Sequence, residues 1–178
     1  MHKDIEAILF DEEAISERIK VLAKQIAEDY KGKDLTCICI LKGGVFFMTD
    51  LLKELDMSVM VDFMDVSSYG ASTISSGEVR IIKDLDHSIK DKDVLVVEDI
   101  IDTGITLNYV VDLLKSREAN SVEIVTLLNK KERREIELDI KYCGFDIPDY
   151  FVVGYGLDFN EKYRNLPYIG YLKEELYK

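Results

Sequence analysis

The sequence predicts an α/β fold with a mainly parallel central sheet flanked by helices. Two observations carry that expectation. Strand-length apolar runs alternate with segments of helical period along the 178 residues. Several of those runs, LTCICIL and VLVV among them, are apolar on both faces, as strands covered on both sides are. A third observation bounds the organisation. With only Pro148 and Pro167, the chain has no Pro-rich linker, so one domain over 1–178 is expected.

The elements follow in order. In DEEAISERIKVLAKQIAEDYKG, residues Ile15, Ile19, Leu22, Ile26 and Tyr30 recur at steps of three and four, and Gly32 can stop the helix. LTCICIL, 35–41, is a continuous apolar strand; KGG turns the chain, and VFFMTDLLKEL, 45–55, is helical again. SVMVDFMDV, 58–66, alternates as a strand does. The next stretch, 67–77, is rich in Ser and Gly and reads as a long loop. EVRII and DVLVVED are the next strands, ITLNYVVDLLKSR is a helix, SVEIVTLLN a strand and YFVVGYG, 150–156, a short strand.

Composition narrows the function. Hydrophobic residues at 47% and charged residues at 33% fit a soluble globular protein. No apolar run approaches 18 residues, and the N-terminus lacks the pattern of a secretory signal, so a cytoplasmic protein without a membrane span is expected. Three cysteines, Cys37, Cys39 and Cys143, suit a reducing compartment. Cys37 and Cys39 lie two apart in a strand and should share a core face, with no partners for a metal; His2 and His87 are isolated and should lie at the surface. The net charge of −12 argues against a nucleic-acid partner. A small anionic ligand remains possible if backbone amides, a few cations or a bridging divalent ion hold it.

In a parallel sheet, ligands bind at the carboxyl ends of the strands. Three strings fall there: Lys42-Gly43-Gly44, the stretch from Glu98 to Thr106, and Asn129-Lys130. The second reads VLVVEDIIDTGITL. Thr103, Gly104 and Thr106 open a helix, where unpaired amides and hydroxyls make a cradle for one phosphate. The spacing is neither a Walker loop nor a dinucleotide fingerprint. Glu98 and Asp99 would repel that phosphate and suit vicinal hydroxyls instead, so the ligand implied is a sugar phosphate. Asp102 is left free for proton transfer. Acids at a strand end can also simply cap a helix or face solvent.

The string VLVVEDIIDTGITL resembles the phosphoribosyl-pyrophosphate signature of type I phosphoribosyltransferases. ILKGG, SSYGASTISSGEVRI, LLNKK and IPDYFVVGYGLDFNEKYRNLPYIG narrow the likeness to the bacterial-type 6-oxopurine, or hypoxanthine-guanine, branch. The likeness runs from about Ile40 to Gly170, in the family's order. It implies the type I phosphoribosyltransferase fold, with a small hood formed by the terminal segments. It also implies transfer of a phosphoribosyl group from 5-phosphoribosyl 1-pyrophosphate to hypoxanthine or guanine, giving IMP or GMP and pyrophosphate, with Mg²⁺ and as a homodimer or homotetramer.

Site roles follow from that resemblance. Glu98 and Asp99 would bind the ribose hydroxyls, partly through metal-bound water, and Asp102 would be the general base or acid near purine N7. Thr103, Gly104 and Thr106, with the amides of Asp102 and Ile105, would hold the 5′-phosphate. Lys42 and Gly43 match a pyrophosphate loop in which a non-proline cis peptide is typical, here expected at Lys42-Gly43. Arg164 would also meet pyrophosphate, and Asp158 matches the position that holds a second Mg²⁺. Lys130 would donate to the purine 6-oxo group, Phe151 would stack on the ring and Val152 would pair through its backbone. Ser68 and Tyr69 belong to the Ser/Gly loop, which would close over the reacting centre.

Bland readings stand beside these. Lys42 could be a turn lysine, Asp158 a turn or cap residue, and Tyr69 a solvated loop residue. By periodicity Phe151, before Val152 and Val153, reads as a core aromatic, and Lys131 competes with Lys130. Ile105 fills a slot where the family can carry a basic side chain. Two rival functions remain: a phosphoribosyltransferase-fold nucleotide-binding regulator, and a response-regulator-like phosphoacceptor, whose acid pair should follow the first strand.

Overall fold

A computed structural model describes residues 1–68 and 79–177, with the backbone alone for Ser68. In chain order the elements are β1 (Ile5–Phe10), α1 (Glu12–Asp29), β2 (Leu35–Leu41), α2 (Gly44–Glu54), β3 (Met60–Ser68) and β4 (Val79–Lys83), then β5 (Asp93–Ile101), α3 (Ile105–Ser116), β6 (Ser121–Asn129), β7 (Tyr142–Asp146), β8 (Val152–Val153) and β9 (Ile169–Leu172). Single 3-10 turns cover Lys131–Arg133 and Glu174–Leu176.

Six strands form the main sheet in the order β4-β3-β2-β5-β6-β7. Every pairing is parallel except β3 with β4 at one edge. The strands read as fully apolar are the central ones, because both of their faces are covered. Cys37, Cys39, Leu95 and Val97 point to one side and pack with Ile15, Ile19, Leu22 and Ile26 of α1 and Phe47 and Leu51 of α2. Ile38, Ile40, Val94 and Val96 point to the other and pack with Leu107, Val110, Val111 and Leu114 of α3. The two cysteines share a core face, as their spacing predicts.

α1 begins where Asp11 caps it, accepting from the Ala14 amide at 2.9 Å, with Glu12 and Glu13 in the positive first turn. Gly32 follows its end with a φ of 76°.

The chain ends build a second sheet, β1-β9-β8, antiparallel throughout. This is the expected hood; its strands β1 and β9, and β7 in the main sheet, are additions to the elements that the sequence predicts. β1 buries only Ile5 fully, and two register shifts interrupt its pairing with β9. Two expected boundaries move. β3 continues through Ser67 and Ser68, the first two residues of the expected loop. Tyr69 and the rest of that stretch, to Gly77, lie outside the described residues. The strand expected over 150–156 shrinks to Val152–Val153, because Gly154, Tyr155 and Gly156 all take positive φ. Among the described residues no helix is long and apolar enough to cross a membrane.

Candidate active site

β2, β5 and β6 are neighbours in the main sheet, so the three strings singled out in the sequence end side by side. At the end of β5, Gly104 turns the chain with a φ of 86° and α3 starts at Ile105. The first ladder bond runs from the Asn108 amide to Gly104 O at 2.9 Å, leaving the amides before it without helical partners. Thr103 Oγ1 accepts from the Ile105 amide at 3.4 Å. The loop is backed by the segment after β6. Thr103 O accepts from the amides of Glu135 at 2.9 Å and Ile136 at 3.2 Å. A Cβ on Gly104 would lie 3.0 Å from Ile136 O. Thr103, Ile105 and Thr106 remain half-buried at the loop's outer side.

Glu98 and Asp99 lie near the end of strand β5, ahead of this loop. The Asp99 amide donates to Glu98 Oε1 at 3.0 Å, and the Ile100 amide donates to Asp99 Oδ1 at 2.7 Å. Each residue keeps part of its surface open, yet protein surrounds both carboxyls closely. Loss of water raises both above the usual carboxylate range, Glu98 well above it with the Asp99 charge adding to the effect. The Arg164 charge pulls Asp99 the other way. Burial, with smaller contributions from Glu98 and Asp99, pushes the Cys39 thiol beneath them up to about 12.

The Lys42 loop lies directly on this pair. A Cβ on Gly43 would fall 1.6 Å from Asp99 Oδ2, so only glycine permits the approach. From the other side, a Cβ on Gly156 would meet Gly43 O at 2.1 Å. A non-proline cis bond is present, but at Leu41–Lys42, one bond before the expected Lys42-Gly43. Lys42 Nζ is 2.9 Å from Glu161 Oε2. Arg164 Nη2 lies 2.9 Å from Asp158 Oδ1 and 3.6 Å from Glu161 Oε1, while Nη1 donates to Gly156 O at 2.7 Å. The two cations assigned to pyrophosphate therefore share one glutamate. The Gly156 amide in turn donates to Arg164 O at 2.9 Å, which ties Arg164 to this loop.

At the end of β6, Lys130 is 7% exposed and its Nζ is 3.3 Å from Asp149 Oδ1. Lys131 points outward to Asp146 at 2.7 Å. Of the two lysines, only Lys130 is buried. Phe151 is 37% exposed rather than a core aromatic. It stacks on Tyr177 with ring centroids 5.1 Å apart and meets Phe159 edge-on at 5.2 Å. Val152 is buried, opposite Tyr171 of β9. Ser68 ends β3, and the described structure says no more of it or of Tyr69.

Asp102 departs from expectation. It is not free: its Oδ1 lies 3.1 Å from Arg133 Nε, an ion pair whose angle falls short of a hydrogen bond. Arg134 Nε donates to the Asp102 carbonyl at 3.1 Å. Sequence reasoning missed both arginines. Their only signal is that the basic run KKERRE follows a strand end, which ordinarily marks a solvated turn.

Among the described residues no three His, Cys, Asp or Glu side chains converge to hold a metal by themselves. Glu98 and Asp99 offer two adjacent, poorly hydrated, oxygen-only donors instead. That set fits Mg²⁺, which keeps several waters and takes its remaining ligands from substrate phosphates. Asp158 is engaged by Arg164 and by the Glu161 amide at 3.0 Å, so it would have to exchange partners to serve a second ion.

Comparison with known proteins agrees with this geometry. The phosphoribosyl transferase domain family matches residues 7–160. A hypoxanthine-guanine phosphoribosyltransferase of Staphylococcus aureus is 56% identical over 177 residues, 99% of each chain. A crystal structure of a hypoxanthine phosphoribosyltransferase from the same organism superposes with a TM-score of 0.96 at 56% identity, covering 100% of this chain and 97% of that one. A Trypanosoma cruzi hypoxanthine phosphoribosyl transferase superposes with a TM-score of 0.95 at 43% identity, covering 99% and 96%. With its type I fold, its Glu98 to Thr106 loop at the end of β5 and this full-length likeness, the chain belongs to the phosphoribosyltransferase family.

Proposed function

We propose that the chain is a purine salvage enzyme that moves the phosphoribosyl group of 5-phosphoribosyl 1-pyrophosphate to N9 of hypoxanthine or guanine, releasing pyrophosphate and IMP or GMP. One observation carries the base assignment. An ammonium only 7% exposed, Lys130, stands at the end of β6 and pairs at 3.3 Å with Asp149, two residues before the partly exposed Phe151. The phosphate loop lies at the end of the adjacent strand β5. A buried lysine can only donate, which suits the 6-oxo group of hypoxanthine or guanine.

The residues divide the work. The amides at Asp102 to Thr106 and the two threonine hydroxyls hold the 5′-phosphate. Glu98 and Asp99 accept from the ribose diol. Phe151 supports one face of the base and Lys130 fixes its oxygen. As the bond to pyrophosphate breaks, the anomeric carbon gains oxocarbenium character and negative charge builds on the leaving group. Lys42 and Arg164 meet that charge by exchanging Glu161 and Asp158 for phosphate oxygens. N9 forms the new bond while Asp102 takes the proton lost by the imidazole ring of the base. Mg²⁺ would supply positive charge that stabilises the leaving pyrophosphate. Glu98 and Asp99 would hold it, with Asp158 at a second position.

The reading extends to a cytoplasmic homodimer or homotetramer. Its test is pyrophosphate release from 5-phosphoribosyl 1-pyrophosphate with Mg²⁺, measured with and without each purine. Release that depends on hypoxanthine or guanine supports transfer. Release indifferent to purine, or none, removes it.

A further inference from the structure

We propose that Arg133 is a positioning residue for the proton transfer, holding the Asp102 carboxylate toward the purine and taking its own orientation from Asp149. The inference rests on the transfer reading above.

Asp102 lies in the loop after β5, and its Oδ1 is buried without a hydrogen-bond partner. Burying such an oxygen is costly unless a charge compensates it. Arg133 Nε supplies that charge from 3.1 Å. The other end of the same guanidinium, Nη1, lies 3.6 Å from Asp149 Oδ1. That oxygen is also 3.3 Å from Lys130 Nζ. A chain of alternating charge, Asp102–Arg133–Asp149–Lys130, therefore joins the proposed proton acceptor to the group that reads the base.

The backbone fixes the geometry. The Arg133 amide donates to Lys130 O at 3.3 Å, and the Lys130 amide donates to Ile101 O at 3.0 Å. Arg133 thus sits one tight turn beyond Lys130, on a strand end pinned beside Asp102. Arg134 adds a second tie at the Asp102 carbonyl, which holds the backbone but leaves the carboxylate's rotamer to Arg133. Arginine suits the task because its planar fork reaches two carboxylates and keeps its charge at all working pH values. Both side chains remain near half exposure, 49% for Arg133 and 43% for Asp102, so the pair should matter little to folding. Its effect should fall on the orientation of one reacting group.

The test is a kinetic cycle of wild type, Arg133→Ala, Asp102→Asn and the double variant. Arg133→Ala should lower kcat about tenfold, with KM for the phosphoribosyl donor within about twofold of wild type. In the Asp102→Asn background the same change should alter kcat by less than about twofold, because the carboxylate it aims is gone. Arg133→Lys should retain more activity than Arg133→Gln, an arm that stands even where Asp102→Asn is too slow to compare. Wild-type kcat in Arg133→Ala, an equal tenfold loss in both backgrounds, or equal losses with Lys and Gln would each overturn the inference. A wild type that forms no nucleotide overturns the transfer reading itself, whereas any of the three results in an active enzyme overturns the role of Arg133 alone.

Discussion

Replacing Gly43 by alanine puts a methyl group where Asp99 already is. The added carbon would lie 1.6 Å from Oδ2 and 2.7 Å from Cγ of that side chain. Gly43 itself has an ordinary backbone, with φ −61° and ψ −38°, so alanine carries no dihedral penalty there. The overlap must be relieved by movement. The loop has little room to retreat, since Gly156 approaches Gly43 O so closely that its own Cβ would stand 2.1 Å away. Asp99 is therefore the part that gives. It loses the 2.7 Å bond from the Ile100 amide and its place against the ribose diol. A hydrogen bond to a charged group is worth about 1.5–3 kcal/mol. Losing one toward the donor, and displacing Lys42 as well, should cost about 3–5 kcal/mol of transition-state binding, or about 10²–10⁴ in kcat/KM. Fold stability should change by less than about 2 kcal/mol, because the clash lies at the rim of the core. Steady-state kinetics in the phosphoribosyl donor, with thermal melting on the same sample, separates the two effects. Gly32→Ala is the control: its φ is 76° and nothing lies within 4 Å of the new carbon, so it should melt earlier without losing activity. A kcat/KM for Gly43→Ala within about threefold of wild type would refute the account of this contact.

Three other outcomes follow from the site. Lys130→Ala should lose efficiency on hypoxanthine and guanine and narrow their margin over adenine, whose amino group cannot accept from the ammonium; an unchanged ratio of kcat/KM values moves base recognition elsewhere. Glu161→Gln removes the carboxylate shared by Lys42 and Arg164. Inorganic pyrophosphate should then inhibit roughly two- to fivefold more tightly, an effect that shrinks at high salt, and equal inhibition constants would show that the pairing does not compete. Mg²⁺ binding should release protons, because burial raises both Glu98 and Asp99 and the cation needs them ionised. The sign follows: affinity for the cation falls as pH drops into the range where the pair regains its proton. Calorimetry in buffers of different ionisation enthalpy measures the release, and its persistence in Glu98→Gln would place the proton elsewhere.

The central sheet was legible because its strands are buried on both faces. LTCICIL has no polar position except Thr36, and its register with β3 and β5 buries it from Leu35 to Ile40. The loop from Glu98 to Thr106 was legible for a related reason: carboxylates, hydroxyls and glycine crowd a strand end where a core would have placed none of them. The hood was hard to read. β1 is six residues long, with a pairing partner near the opposite end of the chain, Ile5 beside Leu172. No local period reports such a contact. Phe151 misleads for the opposite reason. Val152 and Val153 next to it are core residues, so periodicity draws it inward, whereas it precedes a strand only two residues long and its ring stays partly exposed. Arg133 is silent in the sequence because its meaning lies wholly in Asp102 and Asp149, which the fold brings to it.

The same pairings explain how an acidic chain can take a ligand as anionic as a phosphoribosyl pyrophosphate. With a net charge of −12 the whole protein repels it, so long-range attraction cannot gather the substrate. The cleft cations Lys42, Arg164, Lys130 and Arg133 each already face a carboxylate. On the proposed reading binding is an exchange of anions, and its ease depends on exposure. Lys42 and Glu161 are 61% and 67% exposed, a solvated pair with little to lose, so pyrophosphate oxygens can replace the glutamate readily. Lys130 is 8% exposed at its side chain and is poorly placed to return to water. It should change partners only for a group that accepts as well as Asp149 does, which is what selectivity for an oxopurine requires. Among the described residues Glu98 and Asp99 form no ion pair with a lysine or arginine, and on the proposed reading they lie beside the donor's phosphates. On the proposed reading, a divalent cation held by the pair would remove that repulsion, which is the role Mg²⁺ would fill in a chain that puts its negative charge there.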